Sequence, residues 1–340
     1  MAGQNSVLVS VIMPTYNSQD TIRMALKSIR EQDFDQEKIE ILVIDGGSSD
    51  STLEIAKQFG AKILHNEKRL PEAAKSIGIQ KAQGKYIVEH DSDEVYIQKD
   101  QLSKRIAFLR AHPEVKCMLS DRHVAPKGYA FSCAYLNTVG DPFTAFTYKS
   151  KGTVVRNLKG HVWYEHDGAY IFQFGSNDIL PIGDGGTTMI DMDYVREQFK
   201  DSMSEQRFAS TIFDDVVQSS GYVACIEDDN ILHYSATTFR IYLKKLKFRV
   251  INNIFDVAGS GYAARAMENT KLDKRKFLYP FYCVTIILPV IDGVRLSLRF
   301  KDASLMMHPI YSFYVLFQIL FQYARKFCGK KTSNASYGKS

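Results

Sequence analysis

Residues 7–29, VLVSVIMPTYNSQDTIRMALKSI, combine a strand signal with a helix signal and decide the class of fold. Residues 7–13 form a short apolar run rich in β-branched side chains and end at Pro14, which is typical of a buried strand. Asn17 or Ser18 can then cap a helix whose apolar residues recur at helical spacing, namely Ile22, Ala25, Leu26 and Ile29. The stretch therefore predicts a strand, a polar turn and an amphipathic helix.

The same alternation continues to about residue 120. A second buried strand is predicted at 39–44, a short strand at 61–64 and another strand at 86–89, with a helix capped by residues 48–50 and another over 70–82. Strands and helices that alternate at this spacing indicate an α/β fold, a doubly wound and mainly parallel sheet with helices on both faces. Ligands of such sheets bind at the carboxyl ends of the strands, near a topological switch point. The polar clusters that follow the first, second and fourth strands are therefore the candidate site.

The charge distribution divides the chain at about residue 240. Residues 240–331 carry 17 Lys and Arg against 5 Asp and Glu, whereas residues 1–239 carry 25 against 33. An acidic first part suits the handling of a cation, and a basic last part suits an anionic surface. Because the basic residues stand among long apolar runs, unlike an open groove that follows a phosphate backbone, no nucleic-acid partner is expected.

Cysteine usage and the N-terminus indicate the compartment. The five cysteines are scattered and lack CxxC spacing, which argues against a disulfide framework or a thiolate zinc site and suits a reducing cytoplasm. No basic segment precedes the apolar run at 7–13, and that run is too short for a signal peptide. The chain is therefore expected in the cytoplasm.

Two apolar segments, 277–291 and 309–324, lie in the basic part of the chain. Both fall short of the ~20 apolar residues that a spanning helix needs, and both have cationic flanks and many aromatic residues. This pattern favours helices that lie in a membrane interface, peripheral to the inner face of the cell membrane. A buried helical subdomain and an oligomer contact are the alternatives.

Asp91-Ser92-Asp93 follows the fourth predicted strand. Two carboxylates separated by one residue can both face a site at this edge of the sheet. Hard cations such as Mg²⁺ or Mn²⁺ prefer oxygen ligands and often take one or two carboxylates together with the phosphates of a substrate. One acid can therefore meet a metal while the other meets a ribose hydroxyl. An ordinary exposed acidic turn is the alternative.

Two more polar clusters follow the first and second strands. Asp45 ends the second strand, where its carboxylate can accept a hydrogen bond from the N–H of a pyrimidine base. Gly46 and Gly47 let the backbone turn tightly and approach a ligand. The turn Pro14-Thr15-Tyr16-Asn17 can place an aromatic ring beside that base. Capping of the next helix by residues 48–50 is an alternative or additional role for this loop.

In this order, the motifs resemble those of the family 2 glycosyltransferases with the GT-A fold. The resemblance rests on VSVIMPTYN (9–17), VIDGGSSDST (43–52) and GKYI (84–87) running into the acidic motif, and it covers about the first 95 residues well. It implies an inverting transferase that uses a nucleotide diphosphate sugar and a divalent metal, Mn²⁺ or Mg²⁺. It also implies that Asp45 contacts the base, Asp91 the ribose and Asp93 the metal. The other donor-binding positions that it implies are Pro14, Thr15, Tyr16, Asn17, Gly46, Lys75 and Ser92.

Three positions depart from the pattern of this family. Glu94 stands where another Asp is usual, Ser76 stands where an Asn is common, and His90 replaces the apolar residue ahead of the acidic motif. These differences leave the class of enzyme unchanged but leave the identity of the sugar open.

The second half of the chain offers candidates for the acceptor side. Asp214 and Asp215, ahead of Gly221-Tyr222, resemble the family's acidic motif with the general base, which takes the proton of the acceptor hydroxyl. Asp215 is the first choice and Asp214 the second, and capping of a helix by both is the alternative. His233 stands where related enzymes often place a His toward the diphosphate or metal. A purely structural role for this histidine is the alternative. Gly186 and Thr187 resemble a loop whose N–H groups contact the transferring sugar.

These assignments divide the chain into three parts. Residues 1–236 are predicted to form the catalytic domain, with a nucleotide-sugar-binding half at 1–120 and an acceptor half at 121–236. The aromatic, Gly-rich stretch 121–200 is expected to form loops with some strands, which either line an acceptor pocket or pack beneath the sheet. Residues 237–331 are predicted to be a basic, helical, membrane-associating region, and 332–340 a disordered tail.

The predicted reaction is the transfer of a sugar from a nucleotide diphosphate sugar, with UDP as the commonest carrier, to a saccharide or polyprenyl-linked acceptor. Such a transfer belongs to polysaccharide or glycan assembly at the cytoplasmic face of the membrane. A sugar-nucleotide pyrophosphorylase is an alternative that requires a glycine-rich, basic loop after the first strand. Residues 14–18 contain neither a glycine nor a cationic residue, which argues against it. A catalytically inactive membrane scaffold would be expected to lose the acidic residues, which remain. Self-association into an oligomer is left open.

Overall fold

Strand β1 (Val9–Thr15) and helix α1 (Ile22–Arg30) form at the stretch where the sequence predicts a strand and a helix. The computed structural model describes residues 7–175, 178, 180, 187–205, 207–255 and 273–329. The chain divides into two compact units. The first unit comprises Met1–His123, Leu158–Asp178 and Gly183–His233, and the second comprises Val124–Asn157, Ile179–Ile182 and Tyr234–Ser340.

The remaining elements alternate as the sequence predicts up to about residue 120. The further strands, in chain order, are β2 (Ile39–Asp45), β3 (Lys62–His65), β4 (Tyr86–Glu89), β5 (Glu94–Tyr96), β6 (Cys117–Leu119), β7 (Arg122–Val124), β8 (Val162–His166), β9 (Ala169–Gln173), β10 (Met189–Asp191), β11 (Tyr222–Ile226) and β12 (Asn230–His233). The further helices are α2 (Thr52–Gln58), α3 (Pro71–Lys81), α4 (Gln101–Ala111), α5 (Phe131–Val139), α6 (Pro142–Tyr148), α7 (Val154–Leu158), α8 (Met192–Gln198), α9 (Phe208–Ser220), α10 (Phe239–Phe255), α11 (Tyr279–Val284), α12 (Ile287–Phe300) and α13 (His308–Phe327).

The first unit is built on a nine-stranded sheet with the order β3-β2-β1-β4-β10-β6-β11-β9-β8. Strands β3, β2, β1 and β4 pair in parallel, and β6 pairs in parallel with β11. The pairs β4–β10, β10–β6, β11–β9 and β9–β8 are antiparallel. The predicted α/β class with a central, mostly parallel sheet and helices is therefore confirmed, and the antiparallel pairings lie in its second half.

The register of the parallel strands brings the predicted polar clusters to one edge of the sheet. Thr15 lies opposite Asp45 at the ends of β1 and β2, and Ile12 lies opposite Glu89 at the end of β4. A second, three-stranded sheet has the order β5-β12-β7, and within it His233 lies opposite Glu94. The acidic turn between β4 and β5 is thus placed next to the end of β12.

The core of the first unit explains why these strands form. The apolar residues of β1 and β2 are buried, and α1 covers one side of the sheet with the four residues predicted from their spacing: Ile22, Ala25, Leu26 and Ile29. Helix α3 approaches β1 closely at Gly78, where an added Cβ would lie 2.4 Å from Cγ2 of Ile12. Glycine permits this close approach, because a larger residue would overlap the Ile12 side chain and force it to shift.

The second unit is helical and begins earlier in the chain than predicted. Its core combines aliphatic residues with a group of buried tyrosines from α5, α10, α11 and α13, namely Tyr135, Tyr242, Tyr279, Tyr282 and Tyr311. Residues 124–157 belong to this unit because α5 packs into that aromatic core, whereas the sequence had assigned them to the acceptor half of the catalytic domain. The expectation of loops and strands over 121–200 is wrong for α5, α6, α7 and α8, whereas strands β8, β9 and β10 do form within this stretch. The predicted tail at 332–340 lies outside the described residues.

Helices α11, α12 and α13 expose much apolar surface. Phe281 is 73% exposed, Ile287 67%, Leu298 75% and Phe317 60%. By length and composition alone, Ala303–Phe327 is one candidate membrane span among the described residues, and Lys274–Val284 with Ile287–Phe300, bent by 99°, counts as a second only if the two helices are taken as one broken span. Segment 309–324 is predicted to be too short to span a bilayer, but helix α13 extends beyond it at both ends, so that prediction is wrong for the folded helix.

Candidate active site

Asp45 organises the loop after β2. The side chain is buried, and its carboxylate accepts hydrogen bonds from the Gly47 N–H at 2.8 Å, the Ser48 N–H at 3.0 Å and the Ser48 hydroxyl at 2.5 Å. Gly47 has a φ of +91°, a left-handed conformation that favours glycine. The carboxylate therefore fixes the shape of its own loop, and its predicted contact with a base stays a prediction.

The turn after β1 is tied to the loop after β2. The Asn17 N–H donates to the Ser48 hydroxyl at 2.8 Å, and Oδ1 of Asn17 accepts from the Ser49 N–H at 2.9 Å. The Ser18 N–H donates to Oγ1 of Thr52 at 2.7 Å. The Tyr16 ring lies beside the loop, since a Cβ added at Gly46 would sit 3.5 Å from its Cδ2. Pro14, Thr15, Tyr16, Asn17, Asp45 and Gly46 are therefore brought together as predicted.

The acidic turn after β4 meets the turn after β1. The Ser92 hydroxyl donates to the Ser18 hydroxyl at 2.9 Å, and the Asp91 N–H donates to Oε2 of Glu94 at 2.9 Å. Asp91 remains exposed to solvent, but protein atoms crowd its carboxyl. This partial loss of hydration, together with the negative charge of Glu94, raises the pKa of Asp91. The predicted polar clusters of three strand ends thus form one site.

Three histidines surround Glu94, one of the positions that departs from the family pattern. Burial alone would raise the pKa of Glu94, but the hydrogen bond from Nε2 of His123 at 2.6 Å and the charges of His123, His90 and His233 lower it. The His90 side chain is fully buried, which lowers its own pKa, and its ring lies 5.0 Å from that of Tyr96. Glu94 is therefore held as a carboxylate beneath the acidic turn.

Asp93 and His233 form the candidate metal centre. Oδ2 of Asp93 lies 3.5 Å from Nε2 of His233, and the His233 ring lies 4.7 Å from the His123 ring. Among the described residues, no group of three His, Cys, Asp or Glu side chains stands close enough to hold a metal ion. A carboxylate and an imidazole fit a divalent cation whose remaining ligands come from water and from substrate phosphates. These two side chains would hold it.

Lys75 pairs with the last residue of β4. Its Nζ lies 2.8 Å from Oε2 of Glu89, whose side chain is only 8% exposed. The predicted donor-binding lysine therefore lies near the strand end that carries the acidic turn. Its contact with a phosphate or sugar stays a prediction.

Asp214 and Asp215 lie within α9. The helix begins at Phe208, so the two acids do not cap it, and that alternative is wrong. Oδ2 of Asp215 accepts a hydrogen bond from the Thr211 hydroxyl at 2.7 Å, one turn earlier. Burial raises the pKa of Asp215, while Thr211 and the nearby Arg207 oppose the rise. A half-buried carboxylate with a raised pKa suits proton abstraction, and the assignment of the base stays a prediction.

Thr187 is held by a buried ion pair that the sequence analysis did not identify. Nη1 of Arg105 donates to the Thr187 carbonyl at 2.6 Å and to its hydroxyl at 3.0 Å, while Nε of Arg105 donates to Asp229 at 2.6 Å. Asp229 also accepts from Nε2 of Gln101 at 2.6 Å. This network connects the residues that precede β10 with the turn that leads into β12 and His233. Gly186 lies outside the described residues.

The comparisons with known proteins define the class as a glycosyltransferase. Residues 10–196 match the family described as glycosyl transferase family 2, and the chain belongs to this family. A glycosyltransferase of Haemophilus influenzae is 36% identical over 115 residues, which cover 31% of this chain and 43% of that protein. The poly(ribitol-phosphate) β-N-acetylglucosaminyltransferase TarS of Staphylococcus aureus is 31% identical over 125 residues, 35% of this chain and 22% of TarS. The matches thus span less than half of either relative.

A solved structure shares the fold. The mannosyltransferase PcManGT of Pyrobaculum calidifontis, solved in complex with GDP-Man and Mn²⁺, superposes with a TM-score of 0.53 at 15% identity, covering 92% of this chain and 87% of that one. At this identity the likeness concerns the fold alone.

Proposed function

We propose that the chain transfers a sugar, with inversion, from a nucleotide diphosphate sugar to a saccharide or lipid-linked acceptor. The observation that carries the proposal is the joining of three strand ends in one polar site, where Ser92 contacts Ser18 and Asp93 lies next to His233. Ligands of doubly wound sheets bind at such an edge. Family membership and the GDP-Man complex of the structural neighbour support a sugar nucleotide as donor.

On this proposal each residue has a defined role. The Tyr16 ring and Asp45 receive the base, Asp91 binds the ribose, and Asp93 with His233 holds Mn²⁺ or Mg²⁺. When bound, the cation would neutralise negative charge on the departing diphosphate. Lys75 adds a positive charge close to the acidic turn, and its pairing with Glu89 fixes its position. The Mn²⁺ complex of the structural neighbour and membership of the family support the use of a divalent cation.

Asp215 is the proposed base. Inversion by a single displacement needs one carboxylate to take the proton of the acceptor hydroxyl while the oxygen attacks the anomeric carbon. The raised pKa of Asp215 brings its proton affinity closer to that required near neutral pH, and Thr211 holds the carboxylate in place. Asp214 is the second choice.

The acceptor is proposed to be presented at the cytoplasmic face of a membrane. Exposed apolar side chains on α11, α12 and α13, together with the many Lys and Arg residues of the same region, support contact with an anionic lipid surface. TarS acts on a poly(ribitol-phosphate), which is consistent with a role in the assembly of a surface polymer.

A thermal-shift screen of nucleotide sugars tests the donor assignment. UDP- and GDP-linked sugars are added to the full chain with and without Mn²⁺, because a ligand that binds only the folded state raises the unfolding temperature. We expect one carrier to stabilise the chain in a metal-dependent way. Donors that stabilise the chain are then tested for hydrolysis. The alternative, a catalytically inactive scaffold, predicts that none of them is hydrolysed. Absence of both stabilisation and hydrolysis across the screen would contradict the proposal.

A further inference from the structure

The second unit contains a cavity of about 450 Å³ that is separate from the residues of the candidate active site. Among the residues that the structure describes, five cationic side chains line it against one carboxylate; they are Lys149, Lys151, Arg275, Arg295 and Arg299, with Asp292 as the acid. Such an excess of positive charge in a concave surface attracts an anion and is costly to assemble without one.

The single carboxylate is already engaged. Oδ2 of Asp292 accepts a hydrogen bond from the Tyr282 hydroxyl at 2.9 Å, and Oδ1 lies 3.6 Å from Nη1 of Arg295. The Arg275 guanidinium donates to the Phe146 carbonyl at 3.1 Å and lies 4.8 Å from the centre of the Phe146 ring, contacts that orient it without neutralising its charge. The positive charge of the cavity is therefore only partly balanced by Asp292.

One wall of the cavity is apolar and continues onto the surface. Leu288 and Ile291 of α12 line the cavity, and they are 45% and 37% exposed. On the same helix, Ile287 and Leu298 are more exposed still, at 67% and 75%. A ligand in this cavity would thus meet both cationic side chains and apolar side chains that are themselves exposed to solvent.

We infer that this cavity binds the phosphate headgroup of an anionic lipid, with the acyl chains lying along the exposed apolar face of α12. A free phosphate would use the cations but not the adjoining leucine and isoleucine side chains, whereas a lipid uses both. The inference rests on the proposed membrane association, not on the transfer reaction. Without this site, membrane association would rest on non-specific electrostatic attraction to an anionic surface. The inference assigns a specific headgroup site to the residues that line the cavity.

Vesicle binding with two matched double variants tests the inference. Arg295→Gln/Arg299→Gln removes two exposed cations from the cavity, and Lys244→Gln/Lys247→Gln removes two exposed cations from α10, outside it. Each basic residue that contacts an anionic headgroup contributes about fivefold to binding, so the cavity variant should bind phosphatidylglycerol-containing vesicles roughly 25-fold more weakly than the wild type. The α10 variant should change the affinity about twofold or less, because Lys244 and Lys247 do not line the cavity and would not contact the bound headgroup.

The outcomes separate the inference from the membrane proposal. If both variants lose the same affinity, the attraction is diffuse and the headgroup site is wrong, although membrane association stands. If the wild-type chain does not bind anionic vesicles, both the headgroup site and the proposed membrane association are wrong. Circular dichroism and the unfolding temperature confirm that each variant is folded.

A second measurement distinguishes a lipid from free phosphate. Soluble dioctanoyl phosphatidylglycerol should raise the unfolding temperature of the wild type but not of Arg295→Gln/Arg299→Gln, and inorganic phosphate at equal concentration should have little effect on either. Equal stabilisation by inorganic phosphate would assign the cavity to a free anion and overturn the lipid.

Discussion

Nε of Arg105 lies 2.6 Å from Oδ2 of Asp229, and both side chains are almost completely shielded from solvent. The same guanidinium donates to the carbonyl and hydroxyl of Thr187, so that one cation secures two segments distant in the chain. The electrostatic attraction of Asp229 holds the pKa of Arg105 above its usual value, although burial acts in the opposite direction. The segment before β10 and the turn before His233 are therefore joined through one buried ion pair.

We expect Arg105→Met to lower the free energy of unfolding by about 3–5 kcal/mol, because the change leaves the Asp229 carboxylate buried without its partner. Urea denaturation followed by circular dichroism measures the loss. Arg105→Met/Asp229→Leu, which removes both charges, should recover part of it.

Arg110→Met is the matched control, since Arg110 lies on the exposed side of the same helix. It should change the stability by about 0.5 kcal/mol or less. A similar, small loss for Arg105→Met and Arg110→Met would show that the buried pair does not hold these segments.

Ser48 is predicted to position the donor-binding loops. Its hydroxyl donates to Asp45 and accepts from the Asn17 N–H, so Ser48→Ala removes the bridge between the turns after β1 and β2. We expect nucleotide diphosphate to bind about 5- to 10-fold more weakly, as the loss of about one hydrogen bond implies. Isothermal titration calorimetry measures the affinity.

Ser49→Ala serves as the control for Ser48→Ala. Ser49 contributes its backbone N–H to Asn17, a contact that alanine retains. Equal affinities of the two variants would refute a positioning role for the Ser48 hydroxyl.

The pH profile of transfer should report on Asp215. A general base acts when ionised, so activity falls as the pH drops through its pKa, and the raised pKa places this fall above the range usual for an Asp. The Thr211 hydroxyl lowers that pKa, so Thr211→Val should move the acid limb of kcat/KM to higher pH. Asp215→Asn should bind the donor but not turn over. An unmoved acid limb in Thr211→Val would assign the base to another group.

His233 is predicted to contribute to metal affinity. We expect His233→Ala to weaken Mn²⁺ binding by at least about tenfold in the presence of nucleotide diphosphate, since loss of even an outer ligand partner typically costs that much. Electron paramagnetic resonance of Mn²⁺ measures the free ion. His166→Ala changes an exposed histidine of the β8–β9 hairpin and should leave the affinity unchanged. Equal affinities for both variants would remove His233 from the metal centre.

The first half of the fold is predictable from sequence because its strands are short apolar runs and its helices have one apolar face. Val9, Val11 and Met13 are buried on β1, and each strand end carries a polar cluster that the topology brings to one edge. Local pattern and overall fold agree here, so the candidate donor site follows from the order of the motifs.

The helices of residues 131–158 were missed because their apolar residues do not stand on one face. In α5 the sequence FSCAYLNTV is apolar or small almost throughout, and its aromatic residues favour strands. Packing against the aromatic core of the second unit overrides that preference. One signal was present for α6, where Asp141 caps the helix by accepting from the Thr144 N–H and Pro142 occupies its first turn.

One half of the buried ion pair, Arg105, could have been recognised from the sequence. Arg105 stands within the apolar stripe of α4, next to Leu102, Ile106 and Leu109, where a charged residue needs a buried partner. Asp229 is 124 positions further along the chain, so no local pattern identifies it as that partner. Contacts between residues so far apart in the sequence are set by the fold of the whole unit and cannot be predicted from the local spacing of residues.

Donor hydrolysis by Asp93→Ala tests the central claim most directly. The wild type should release nucleotide diphosphate from its donor sugar with Mn²⁺, whereas Asp93→Ala should show no turnover above background, because the carboxylate beside His233 is lost. Asp33→Ala, an exposed acid outside the candidate site, should behave as the wild type. Full activity of Asp93→Ala would contradict the assignment of the acidic turn as the metal centre.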